Sequence, residues 1–153
     1  ASDVYKRQVL DGTANMGTVR IIEKTARSIL RLRYYLEAPA LRDLAASHTA
    51  ADLDTLRALQ RQAEEAPDTA ALAQALFRYH RGVAFLSGNT ITPLLFNAFK
   101  KVNLEFWSGY IRSVGREESL RTLARFTDLI AAGQGDRAAQ LLDDGLRRVV
   151  TTL

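Results

Sequence analysis

The run Leu76-Phe77-Arg78-Tyr79-His80-Arg81-Gly82-Val83-Ala84-Phe85-Leu86-Ser87-Gly88-Asn89, followed by Thr92-Pro93-Leu94-Leu95, constrains this chain more than any other stretch. Leu72, Leu76, Tyr79, Val83 and Leu86 recur at helical spacing and define a core-facing stripe, and His80 sits on its edge one turn after Leu76. The imidazole is expected to point inward. Gly88 supplies the left-handed residue that ends a helix at little cost, Asn89 tolerates the same region, and Thr92 with Pro93 reads as an N-cap plus first-position proline. Two buried helices are therefore expected to meet at a tight turn and to share one interior.

The rest of the chain repeats the helical signal. From Thr18 onward Ile22, Ala26, Ile29, Arg33 and Leu36 follow four-three-four-three spacing, which predicts a long helix with one apolar seam. Arg33 lies on that seam, where a guanidinium must find an acceptor or reach out to water. Pro39 is expected to bend or restart the helix after Ala38, with Ala40, Leu41, Leu44 and Ala45 continuing an apolar face to His48. Thr49 and Asp52 resemble a capping box opening a helix through Leu53, Leu56, Leu59 and Ala63, which ends at Ala66-Pro67-Asp68-Thr69. A further helix is predicted from Pro93 through Leu94, Leu95, Ala98, Val102, Phe106 and Tyr110, carrying the single tryptophan, Trp107, and stopping at Gly115. Leu120, Leu123, Thr127 and Ile130 mark the next, closed by Gly133-Gln134-Gly135; Asp136 then reads as the cap of a last helix with Leu141, Leu142, Gly145, Leu146, Val149 and Val150 on one face. No strand-like alternation interrupts the series. The expected fold is an all-α bundle of six to seven helices.

Composition narrows the function. The 153 residues make one domain, and no apolar run approaches the length of a bilayer. The absence of cysteine excludes disulfides and thiolate chemistry and fits a cytoplasmic setting. The net charge of +4 comes from 21 basic residues interleaved with 17 acidic ones, the pattern of a solvated mixed surface and not of a nucleic-acid groove. His48 and His80 are the only histidines, no G-x-S-x-G elbow or Gly-rich phosphate loop is present, and the carboxylate pairs Glu117/Glu118 and Asp143/Asp144 diverge by about 100° around their helices. The chain reads as a non-enzyme. For a metal, His80 has no ligand one turn earlier, since that position is Leu76.

The start of the chain stands apart. Asp3-Val4-Tyr5-Lys6-Arg7-Gln8 matches one reading frame of a sequencing adaptor, so residues 1–8 read as an adaptor-derived scar, with a native disordered terminus as the alternative. Val9 to Gly17 reads as a linker, leaving 18–153 as the domain.

Three segments carry a resemblance: Arg33-x-x-Leu36-Glu37 with Leu44-Ala45-Ala46, Tyr79-His80 with Arg81-Gly82-x-Ala84-Phe85-x-Ser87-Gly88-Asn89, and Asn97-Ala98-Phe99-Lys100. Over about residues 20 to 153 the chain resembles the C-terminal effector domain (FCD) of GntR-superfamily transcription regulators, most nearly the fatty-acid-responsive FadR branch. The resemblance implies an antiparallel helical bundle enclosing an effector cavity, a homodimer, and operator contact through an N-terminal winged helix-turn-helix that this sequence lacks. It further implies long-chain acyl-CoA as the effector. The wider family's divalent metal would fall at Leu76, His80, near Ala124 or Arg125 and near Arg147, and with only His80 able to ligate, the resemblance implies a lost metal site and no cofactor. Candidate ligand-binding residues are Arg33, Tyr34, Tyr79, His80, Asn89 and Trp107. Two alternatives stand beside this: a related regulator sensing a small organic acid through Arg33 and His80, and a structural bundle that only dimerises.

Overall fold

A computed structural model describes the backbone of residues 16–150 and the side chains of residues 24–149; the expected scar, residues 9–15 of the expected linker and the side chains of Ile22 and Val150 lie outside the described residues. Within the described residues the chain is all-helical: α1 (Met16–Ser47), α2 (Ala50–Glu64), α3 (Thr69–Leu86), α4 (Thr92–Ala98), α5 (Lys100–Val114), α6 (Arg116–Ala131) and α7 (Gly135–Val150). No described helix is long and apolar enough to cross a membrane.

The central helix is α3. Leu72, Leu76, Tyr79, His80 and Val83 are all buried, and α3 packs against α1, α2, α4 and α5. Asp68 caps its start by accepting from the Ala71 N–H at 2.8 Å. Gly88, at φ 85°, turns the chain out of it. The capping box forms as expected: Thr49 Oγ1 accepts from the Asp52 N–H at 3.1 Å, and Asp52 Oδ2 accepts from the Thr49 N–H at 2.8 Å. On α6, Leu123, Thr127 and Ile130 face the core.

Four local expectations are corrected. The helix does not restart at Pro39, since α1 runs through it to Ser47; Pro39 is exposed, so the carbonyl left without its N–H lies on the side water can reach. Thr92 is the buried first residue of α4 and not its cap; Asn89 Oδ1 instead accepts from the backbone N–H groups of Ile91 (2.9 Å) and Thr92 (3.0 Å). The helix predicted from Pro93 to Tyr110 is split at Phe99, whose φ of −103° and ψ of 21° leave helical geometry. In consequence Leu94 and Val102 are exposed, while Phe96, Phe106, Trp107, Tyr110 and Ile111 make the inner face. Asp136 lies inside the first turn of α7, where Oδ1 accepts from Arg42 Nε at 2.8 Å and so ties α7 to α1.

The pairing of α1 with α7 is the most extensive in the bundle. It depends on a close backbone approach, because a Cβ at Gly135 would stand 2.7 Å from Arg42 Cα. Gly135→Ala is therefore expected to destabilise by roughly 1–3 kcal/mol through overpacking, whereas Gly109→Ala, whose Cβ would meet only the far end of Arg112 at 4.0 Å, should be neutral or stabilising. Thermal melts of the two variants check this; equal melting temperatures would contradict the close approach.

Candidate functional site

The seam of α1 is rotated by one residue from expectation. Leu30, Arg33 and Glu37 are buried, while Ala26, Ile29 and Leu36 are half-buried. Spaced four residues apart, Arg33 and Glu37 are adjacent on the helix face, and Arg33 Nε donates to Glu37 Oε2 at 3.1 Å. The other carboxylate oxygen, Oε1, accepts from His80 Nδ1 of α3. Three ionisable groups thus form one hydrogen-bonded chain, each at most 4% exposed. Glu37 is the residue that sequence reasoning missed as part of the site. Its signal was available, since Arg33 on an apolar seam needs an acceptor and Glu37 is the carboxylate one turn on.

Aromatic rings enclose this chain. His80 stacks on Trp107 with centroids 4.7 Å apart and planes 24° from parallel, and meets the Phe126 ring edge-on at 5.2 Å. The Arg33 guanidinium carbon lies 4.1 Å from the Trp107 ring centroid and 4.8 Å from that of Phe106. Cation–π attraction accounts for part of the tolerance of a buried arginine here. Yet Arg33 Nη1 and Nη2 and Trp107 Nε1 are buried without a hydrogen-bond partner. Such unmet donors each cost about 1–3 kcal/mol.

Charge states follow from burial and pairing. Burial, the largest influence on Arg33, lowers its pKa against the pull of Glu37, but a guanidinium stays protonated in proteins. Burial pushes the Glu37 carboxyl upward, and the charge of His80 once it protonates in acid, the charge of Arg33 and the hydrogen bonds from both outweigh it, holding the group below the ordinary carboxylate range. Burial is likewise the largest influence on His80 and draws it below its ordinary value, with Glu37 opposing and Arg33 assisting. We assign an ionised Glu37 bridging charged Arg33 and a neutral His80 that donates through Nδ1.

The other candidates divide. Tyr79 is buried beside His80, with ring centroids 5.5 Å apart, but its hydroxyl is shared with Thr127 Oγ1 at 2.8 Å, and burial pushes its pKa up. Tyr34 is half-buried and packs edge-on with Tyr35, outside the ion chain. Asn89 is exposed and holds the turn before α4, so the structure does not bring it to the site. Arg33, His80 and Trp107 do come together, joined by Glu37.

Next to this chain lies a cavity of about 20 Å³ between α3, α5, α6 and α7, lined by His80 and Trp107 with Phe126, Leu142 and Leu146 among others. A larger groove of about 500 Å³ runs between α1 and α5, where Leu30, Val102 and Phe106 meet Arg112 and Val149. Phe106 lines both. Among the described residues no three His, Asp or Glu side chains come together as a metal site.

The FCD domain family model matches residues 28–148, and the chain belongs to that family, the effector-binding domains of GntR-type transcription regulators. That is a family of regulatory domains and not of enzymes. No curated protein and no solved structure matches the chain.

Two outcomes follow from the buried ion chain. Glu37→Ala leaves a buried guanidinium unpaired and should cost about 3–5 kcal/mol, read by denaturant unfolding; a loss below about 1 kcal/mol would contradict the pairing. For pH, the unfolded chain protonates His80 near its ordinary value of about 6.5 while the folded chain resists, so the unfolded state binds more protons on acidification and stability falls from pH 7 towards 5.5. The Glu37 contribution is complete above its unfolded value of about 4.3 and is lost as pH drops through its lower folded value. Thermal melts at pH 7.5, 6.5 and 5.5 should show a decline that His80→Asn flattens, asparagine keeping the donor to Glu37 without the titration.

Proposed function

We propose, from the chain's membership of the FCD family, that it is the effector-sensing and dimerising part of a bacterial GntR-type regulator, and that its effector presents an anionic head group to Arg33 and Trp107. One observation carries this reading: Arg33 Nη1 and Nη2 and Trp107 Nε1 are buried donors with no acceptor. All are donor-only groups, so their missing partner is an acceptor, and a carboxylate or phosphate oxygen suits a guanidinium fork in a water-poor site. The effector's body then lies against the leucines of α7. Seating it enlarges a cavity of about 20 Å³ and displaces α7, which is packed along α1. Such a displacement is a route by which binding favours one of two bundle arrangements, limited in size by the effector's differential affinity for them. In the intact, cytoplasmic homodimer this changes the spacing of two winged-helix heads on operator DNA.

The inner cavity, with room for about one water, has to enlarge least for a short-chain organic acid, which is the first reading. A second reading, long-chain acyl-CoA as in the FadR branch, is favoured by the groove of about 500 Å³ between α1 and α5, where Ile29, Leu30, Val102 and Phe106 offer an aliphatic chain an apolar wall beside the polar Asn103, Glu105 and Arg112, and where the Phe106 ring faces the Arg33 guanidinium. Titration with butyrate and, separately, with oleoyl-CoA, following Trp107 emission and melting temperature, discriminates the two. Arg33→Ala should weaken the binding of the responding ligand at least tenfold, the weight of a lost charge-assisted hydrogen bond of about 1.5–3 kcal/mol. A protein whose emission and melting temperature answer neither ligand would overturn the reading.

A further inference from the structure

Resting on that reading, the charge census of the site leads one step further. With the charge states assigned above, Arg33 contributes +1, Glu37 −1 and His80 nothing, so the hydrogen-bonded chain of three buried groups is already balanced inside an aromatic and aliphatic shell. A carboxylate added to it would leave a negative charge without compensation in a low-dielectric site, which proteins avoid by changing a protonation state. We infer that an anionic effector enters this site together with one proton, taken from solvent, which settles on Nε2 of His80.

The geometry provides for it. Nδ1 is committed to Glu37, so Nε2 is the ring nitrogen left for the cavity that His80 lines. An imidazolium there would keep Glu37 behind it as a counter-ion and lie flat against the Trp107 ring. The groups facing His80 offer no rival base. From α1 come Glu37, whose two oxygens are engaged, and Arg33, which is fully protonated. The neighbouring Tyr79 of α3 already carries its proton, in a bond shared with Thr127. From α5 come Trp107 and Tyr110, the latter donating to Thr122 of α6 at 3.4 Å; α6 otherwise brings Phe126, and α7 the apolar Leu142 and Leu146. No covalent bond of the effector changes; one N–H bond forms on the imidazole, so the sensor would respond to the product of anion and proton concentrations.

Calorimetric titration with butyrate, in EDTA-containing buffers of different ionisation enthalpy at pH 7.5, counts the protons taken up. We expect about one proton per bound anion, an affinity that falls about tenfold per pH unit between pH 7 and 8.5, and loss of both effects in His80→Asn. Uptake close to zero with butyrate bound would overturn the proton linkage and leave the anion site standing. Failure of butyrate to bind at all at millimolar concentration overturns the short-chain anion site and the proton linkage with it, and the oleoyl-CoA titration then decides whether the anion-sensing reading survives. The wild-type count decides the matter even if the variant does not fold.

Discussion

A carboxylate with two cationic or proton-donating neighbours, buried at a helix crossing, is the interaction on which the rest of this bundle depends. Glu37 takes Arg33 from its own helix and His80 from α3, fixing the rotation of α1 against the central helix. Apolar packing alone permits a range of helix rotations, whereas a buried carboxylate with both oxygens bonded permits one. The aromatic residues of α5 are arranged in turn around that pair, with Trp107 in contact with both His80 and Arg33.

Complete satisfaction would make this cluster a purely structural device. It is incomplete in one direction: the three atoms without acceptors belong to Arg33 and Trp107, while Glu37 is saturated. A merely dimerising bundle has no use for a buried guanidinium held half-bonded at a cost, and an effector domain has. Neighbouring helices differ in how readily they can respond. The junction of α1 with α7 is extensive and brings the two backbones close at Gly135 beside an exposed ion pair, whereas α3 buries one face against four helices.

Much of this was legible in the sequence. The helical stretches are marked by apolar periodicity, with α4 and α5 legible only as one, and the Thr49/Asp52 box and Gly88 are legible because capping and positive φ are local properties. The misreadings have physical causes. Pro39 is tolerated inside α1 because its lost bond falls on the exposed side of the helix, and which side is exposed is a tertiary property. The break at Phe99 carries no glycine or proline, so nothing local marks it. Asn89 was placed in the site by motif membership, although its side chain is spent on two backbone N–H groups. Arg33 and His80 were picked out because polar side chains on apolar stripes have to be explained by something inside the fold. The bridge between them was not legible, since Glu37 and His80 are far apart in the chain and only the packing of α1 on α3 joins them.

The indole N–H of Trp107 gives the most direct reading of the central claim, for the chain holds a single tryptophan and so a single indole cross-peak in a proton–nitrogen correlation spectrum. On saturation with a bound organic anion, that resonance should move downfield as Nε1 gains its acceptor, and should fail to do so in Arg33→Ala. A ligand that binds, by calorimetry, and leaves the indole resonance where it was would place the head group elsewhere and contradict the account.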